Sequence, residues 1–149
     1  MFVWIGAGIM DKINTPNVTK HLEELSRAKN FVDAHERTLK EYIEEYENIE
    51  EYADDSNVAL RKAVRDLQKK IDTEKTFYGE ALLKYHSLRD TLLTLNVFLS
   101  DEEFKVFKYR CIENITFQDI ASKLGFSERN IYRLHDSALQ KLEQVSFLF

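Results

Sequence analysis

Apolar residues in the first two thirds of the chain recur at helical spacing. Val18, Leu22, Leu25, Val32, Leu39, Ile43 and Tyr46 alternate in threes and fours, with weak steps at Lys29 and Glu36. Phe31, Tyr42 and Ile49 broaden this stripe. Thr15-Pro16 reads as a helix start, Thr as cap and Pro at the first helical position. The helix is expected to run to about Tyr52, because Asp54-Asp55-Ser56-Asn57 is polar turn material. A second run comes next: Leu60, Val64, Leu67, Ile71, Glu74, Tyr78, Ala81, Tyr85, Leu88, Leu92 and Leu95. It is a nearly unbroken heptad seam of the coiled-coil type. Each run predicts a helix ~50 Å long at 1.5 Å per residue. Two such helices joined by a short polar turn form an antiparallel hairpin. One narrow stripe per helix buries little. The additional aromatics therefore point either to a second copy, giving a four-helix dimer, or to a partner protein. If every aromatic is intramolecular core, neither is needed.

The spacing changes near Asn96–Ser100, the expected junction, where Val97, Phe98 and Leu99 would dock the hairpin onto the C-terminal domain. Ser100 can cap a helix, with Glu103 completing a capping box. That helix should reach about Ile112 and present Phe104, Phe107 and Cys111 on one side. Glu113-Asn114 makes a turn, and Thr116 is placed to cap the next helix. Ile120 and Leu124 are then separated from Ile131 and Leu134 by Gly125, which can take the left-handed conformation that ends a helix. Ser127 stands where the following helix needs its cap. Ala121 is small where two steeply crossed helices come closest, and Ile131 would fill the angle between them. This is the pattern of a helix-turn-helix, whose second helix is offered to the DNA major groove. The expected fold is all-α: an extension over 1–14, a hairpin over 15–98, and a helix-turn-helix domain over 99–149.

On the second motif helix Ile131, Leu134, Ala138 and Leu142 should face inward, leaving Ser127, Glu128, Arg129, Asn130 and Arg133 outward. Arg can bond guanine O6 and N7 together, and Asn can bond adenine N6 and N7. Arg129, Asn130 and Arg133 are therefore the expected base readers. Glu128 either accepts from cytosine or only favours the helix dipole. Ser127, Thr116, Gln118 and Lys123 would hold phosphates and fix register. Tyr132 is grouped with the DNA-facing set, although it and His135 either pack or reach the backbone.

Several stretches carry a closer resemblance. Leu99-Ser100-Asp101-Glu102-Glu103, Tyr109-Arg110, Thr116-Phe117-Gln118-Asp119-Ile120-Ala121, Ser127-Glu128 and Ala138-Leu139-Gln140-Lys141-Leu142 together resemble region 4 of sigma-70-type factors. Ile131-Tyr132-Arg133-Leu134-His135-Asp136-Ser137-Ala138-Leu139 is similar to small phage regulators of the ArpU and RinA type. The resemblance spans roughly Leu99–Val145. It implies a phage-type transcription regulator that binds double-stranded promoter DNA and contacts RNA polymerase; the hairpin, from its extra aromatics, is expected to form a homodimer or to connect the domain to polymerase. A complete sigma factor is not implied, because nothing before Leu99 supplies the aromatic, basic helix that opens a promoter. Half of a split factor fits. Two rivals stand beside this reading. One is a DNA-packaging recognition protein resembling small terminase subunits, which usually place their domains in the reverse order. The other is a protein-binding module acting on polymerase or sigma without touching DNA.

Charge alters the picture. The net charge of −5 is the wrong sign for a general nucleic-acid coat. From Leu99 onward eight acids meet seven bases, so most of the acidic excess lies upstream. A lone monomer is expected to bind DNA weakly, and dimerisation or a second protein must add affinity. The aromatics of Tyr42–Tyr52 are interleaved with glutamates, which repel phosphate, so single-strand stacking is a poor reading. No nucleotide-binding loop, nucleophile elbow or metal-ligand spacing occurs, and His21, His35, His86 and His135 are scattered. No enzyme, cofactor or metal is expected. Cys111 reads as a small buried hydrophobe with no His or acid beside it to activate it, and a single Cys suits the cytosol, which the phage resemblance implies is that of a bacterial host. Met1–Met10 is too short to span a bilayer and lacks a basic leader, so no membrane partner is expected; either translation starts at Met10, or it starts at Met1 and Phe2, Val3, Trp4 and Ile5 tuck against a helical surface.

Overall fold

A computed structural model describes residues 17–54 and 56–146. The expected Thr15-Pro16 cap and the reading of Met1–Met10 lie outside the described residues. Helix α1 spans Asn17–Glu50 and α2 spans Val58–Leu93, followed by a 3-10 helix over Thr94–Phe98. Helix α3 covers Asp101–Phe107, α4 Phe117–Leu124 and α5 Glu128–Gln144. The expected all-α class, long paired helices followed by a helix-turn-helix domain, is what the chain forms. Two compact units emerge: residues 26–87, and the opening of α1 up to Leu25 together with Leu88 onward.

Within residues 26–87, α1 and α2 run antiparallel. Lys29 lies over the Tyr85 ring at 5.9 Å, His35 meets Phe77 at 5.9 Å, and Lys70 lies over Tyr42 at 5.9 Å. Further along, Gln68 Nε2 donates to Tyr46 Oη at 3.1 Å. As the α1 partner number rises, the α2 number falls. The turn is built as its sequence suggests. Asp54 Oδ1 accepts from the Ser56 and Asn57 amides at 2.9 and 3.1 Å, and Asn57 Oδ1 accepts from the Leu60 amide at 2.9 Å. Glu74, the polar member of the α2 seam, hydrogen-bonds His35 across the helix pair. The seam is thin. Ala28, Val32, Leu67 and Ile71 are the buried apolar residues of this unit among the described residues.

The second unit buries Val18, Leu25, Leu92 and Leu95 as well as the C-terminal domain's core. Val106, Ile120, Ala121, Ile131 and Leu134 form that core, with Tyr109, Ile115, Phe117, Leu124 and Phe126 packed around it. Phe107 and Leu142 are also fully buried. One expectation is corrected here. Val97 does not dock: it is 75% exposed, because the 3-10 helix turns Leu95 inward in its place. The helix after Ser100 reaches Ile112 as expected, but not as α throughout. It widens into a π-helical turn over Lys108–Ile112, where the Glu113 amide reaches back to the Lys108 carbonyl at 3.0 Å. Asn114 then takes a left-handed φ of 56°, and the Ile115 amide bonds the Tyr109 carbonyl at 2.8 Å. This looser winding lets the chain reverse into α4 without leaving those amides unpaired.

Candidate nucleic-acid interface

The geometry of α4 and α5 arises from three local devices. Thr116 Oγ1 accepts from the Asp119 amide at 3.1 Å and starts α4. Gly125, at φ 70° and ψ 29°, ends it by donating its N–H to the Ala121 carbonyl. A Cβ at Gly125 would touch nothing within 4 Å, so glycine serves its backbone angle rather than close packing. Ser127 Oγ then accepts from the Asn130 amide at 3.2 Å and starts α5. Ala121 is 7% exposed and Ile131 fully buried, which fits the small contact point and the anchor in the angle between the helices.

The remaining α5 side chains divide by face. Leu134, Ala138 and Leu142 are buried with Ile131. Ser127, Glu128, Arg129, Tyr132 and Arg133 are exposed, and Asn130 is half-buried. Thr116, Gln118 and Lys123 are exposed on α4 and its cap. Each capping hydroxyl of Thr116 and Ser127 uses its oxygen to accept, so its proton can still be donated. Lys123 Nζ lies 5.7 Å from the Tyr109 ring centroid.

Two expected readers are joined. Arg133 donates through Nε at 3.1 Å and Nη2 at 2.8 Å to the single Asn130 Oδ1. Asn130 cannot offer that oxygen to adenine N6 without loosening Arg133. Arg133 keeps its outer Nη1 and Nη2 protons, the end of the guanidinium that matches guanine O6 and N7.

Sequence reasoning missed a cluster around Phe117. Arg110 stacks on its ring at 4.4 Å, Tyr132 lies against it at 4.3 Å, and His135 meets it edge-on at 5.1 Å. Tyr132 therefore packs on one side while remaining 48% exposed, and His135 packs. Cys111 is corrected in one respect. A histidine does lie beside it, since His135 Nε2 is 3.7 Å from Sγ. The reason is the fold, which brings α5 across the π turn. The thiol is still not activated: burial pushes its pKa up to about 11 despite the nearby Arg110 charge.

Glu103 holds α3 to α5. Its carboxylate accepts from the Ser100 amide at 3.0 Å, Ser137 Oγ at 2.6 Å and Lys141 Nζ at 2.7 Å. Burial pushes its pKa up, but hydrogen bonds from Lys141, Ser137 and Ser100 prevail and bring it to about 2. The capping box was readable from Ser100 and Glu103. The spacing of Ser137 and Lys141, one turn apart on α5, was the available signal for the rest.

Among the described residues no group of three or more His, Cys, Asp or Glu is placed to hold a metal ion. No helix among them is long and apolar enough to cross a membrane. Two capped helices joined at a left-handed glycine, the second buried on one side and polar on the other, define a helix-turn-helix domain. Its family emerges from comparison with known proteins: residues 98–144 match the family described as Sigma-70, region 4. That stretch is a sigma-70 region 4 domain, a DNA-binding type of module. No curated protein and no solved structure matches the chain.

Proposed function

We propose that the protein is a phage-type transcription regulator whose C-terminal domain recognises double-stranded promoter DNA. The hairpin pairs two copies or carries a contact to RNA polymerase. Arg129 and Arg133 read bases, with Asn130 working alongside Arg133. Thr116, Gln118, Lys123 and Ser127 hold phosphates. The observation that carries this reading is the division of α5 within the matched region. Its leading polar residues stand at the surface while Ile131, Leu134, Ala138 and Leu142 form the core. Near-balanced charge in this domain limits nonspecific attraction, so specific contacts and a second copy supply the affinity.

The same charge balance favours one other reading, a module that occupies a polymerase or sigma surface without DNA. One experiment separates them. The purified full chain is used to select duplexes from a randomised pool, and the enriched duplex is titrated at increasing salt. Enrichment of a defined motif, with affinity falling as salt rises, is the expected result. Failure to enrich any sequence at low salt would leave the protein-binding reading in its place.

A further inference from the structure

The hairpin unit has an apolar cleft on one face. Ala28 and Ala81 are its small members, while Phe31, His35 and Phe77 supply rings. Phe31 is 62% and Phe77 47% exposed, one from each helix, around a cleft of about 220 Å³. Glu80 and Lys84 complete its lining, one acid and one base a single helical turn apart on α2.

We propose that this face is where two copies of the chain pair, with the Phe31 and Phe77 rings meeting across a two-fold axis. The proposal rests on the reading that the hairpin joins copies, and it identifies the surface. Three observations converge on a second copy. First, residues 26–87 fully bury only Ala28, Val32, Leu67 and Ile71 as apolar core among the described residues, a thin seam for two long helices that leaves the Phe31 and Phe77 rings uncovered. A second helical pair laid on the aromatic face completes a four-helix core. Second, both helices contribute an exposed ring, so a covering layer would contact α1 and α2 together. Third, its charges suit itself. Under a two-fold axis each Glu80 can meet the partner's Lys84, and each Lys84 the partner's Glu80. A partner surface of one sign would leave one of the two charges opposed.

The test needs no DNA, so its outcome is independent of whether the C-terminal domain binds promoters. The solution mass of the full chain should be twice the 17.6 kDa of one chain. Phe31→Ala with Phe77→Ala should weaken self-association about a hundredfold or more, as loss of central aromatic anchors does, while far-UV helicity persists. The charge variants keep the rings. Glu80→Lys alone and Lys84→Glu alone should each weaken pairing about tenfold, because like charges then oppose. Mixing those two variants should restore pairing as a heterodimer. A single-chain mass for the wild type overturns the proposal. So does a double-alanine variant that pairs as before, or a mixture of charge variants that stays apart.

Discussion

The C-terminal domain and the hairpin solve the problem of holding helices together in opposite ways. Helices α3, α4 and α5 have 7, 8 and 17 residues, yet each begins at a capping side chain and each buries residues to near zero exposure. They share one closely packed core. Helices α1 and α2 are 34 and 36 residues long, yet between residues 26 and 87 they enclose a thin seam and leave phenylalanines in water. Apolar surface on them is left uncovered within the chain. Length and periodicity therefore do not measure how much of a helix is satisfied within one chain. The contrast also separates the roles, since a finished domain can present a fixed surface to a ligand, whereas an unfinished layer invites a second layer.

Matched core truncations probe this contrast most strongly. Ile131→Ala, at a fully buried site, should cost about 2–5 kcal/mol of unfolding free energy. Ile43→Ala, at a half-buried hairpin site, should cost well under half as much in the monomeric state. Chemical denaturation of both variants at low protein concentration checks this. Equal losses would mean that the hairpin core is as complete as the domain's.

Removing the charge that ties α3 to α5 should have the next largest effect. Glu103→Gln leaves Lys141 without its carboxylate, and a loss of about 1–3 kcal/mol is expected. The pH dependence has a definite sign. The folded carboxyl titrates at about 2 against an ordinary 4.5, so its contribution is full above 4.5 and is lost as pH falls through about 2. Thermal melts of the wild type should therefore decline more steeply across that acid window than those of Glu103→Gln. Parallel declines would deny Glu103 its role as the tie between the helices.

A smaller loss, about 1 kcal/mol, is expected for Gly125→Ala. The cause is backbone strain alone, since φ is 70° and no atom lies within 4 Å of the added methyl. The same change at Gly79, inside α2 with nothing within 4 Å, should instead stabilise slightly. Opposite signs at the two glycines, read from melting temperatures, would set the turn of the domain apart from the rod of the hairpin.

Local rules made much of this legible. Ser100, Thr116, Ser127 and Gly125 act as their neighbours in the sequence demand, because caps and left-handed turns are set within four residues. What escaped depends on distant chain segments. The partners of Glu103 lie 34 and 38 residues away, and His135 reaches Cys111 across 24. Val97 reads as a docking residue because it is apolar, but the 3-10 winding that turns it outward leaves no periodic mark. Asn130 and Arg133 are close enough to pair in sequence, one turn apart, yet chemistry that suits each for a different base makes them look independent.

The decisive measurement is the affinity of the full chain for its selected duplex, taken for wild type, Arg133→Ala, Asn130→Ala and the double variant. Arg133→Ala should lose ~1–3 kcal/mol and relax a guanine position. Asn130→Ala should lose less, and the double variant no more than Arg133→Ala alone, since Asn130 acts through the guanidinium it holds. Unchanged affinity in Arg133→Ala would contradict the claim that the leading turns of α5 enter the duplex.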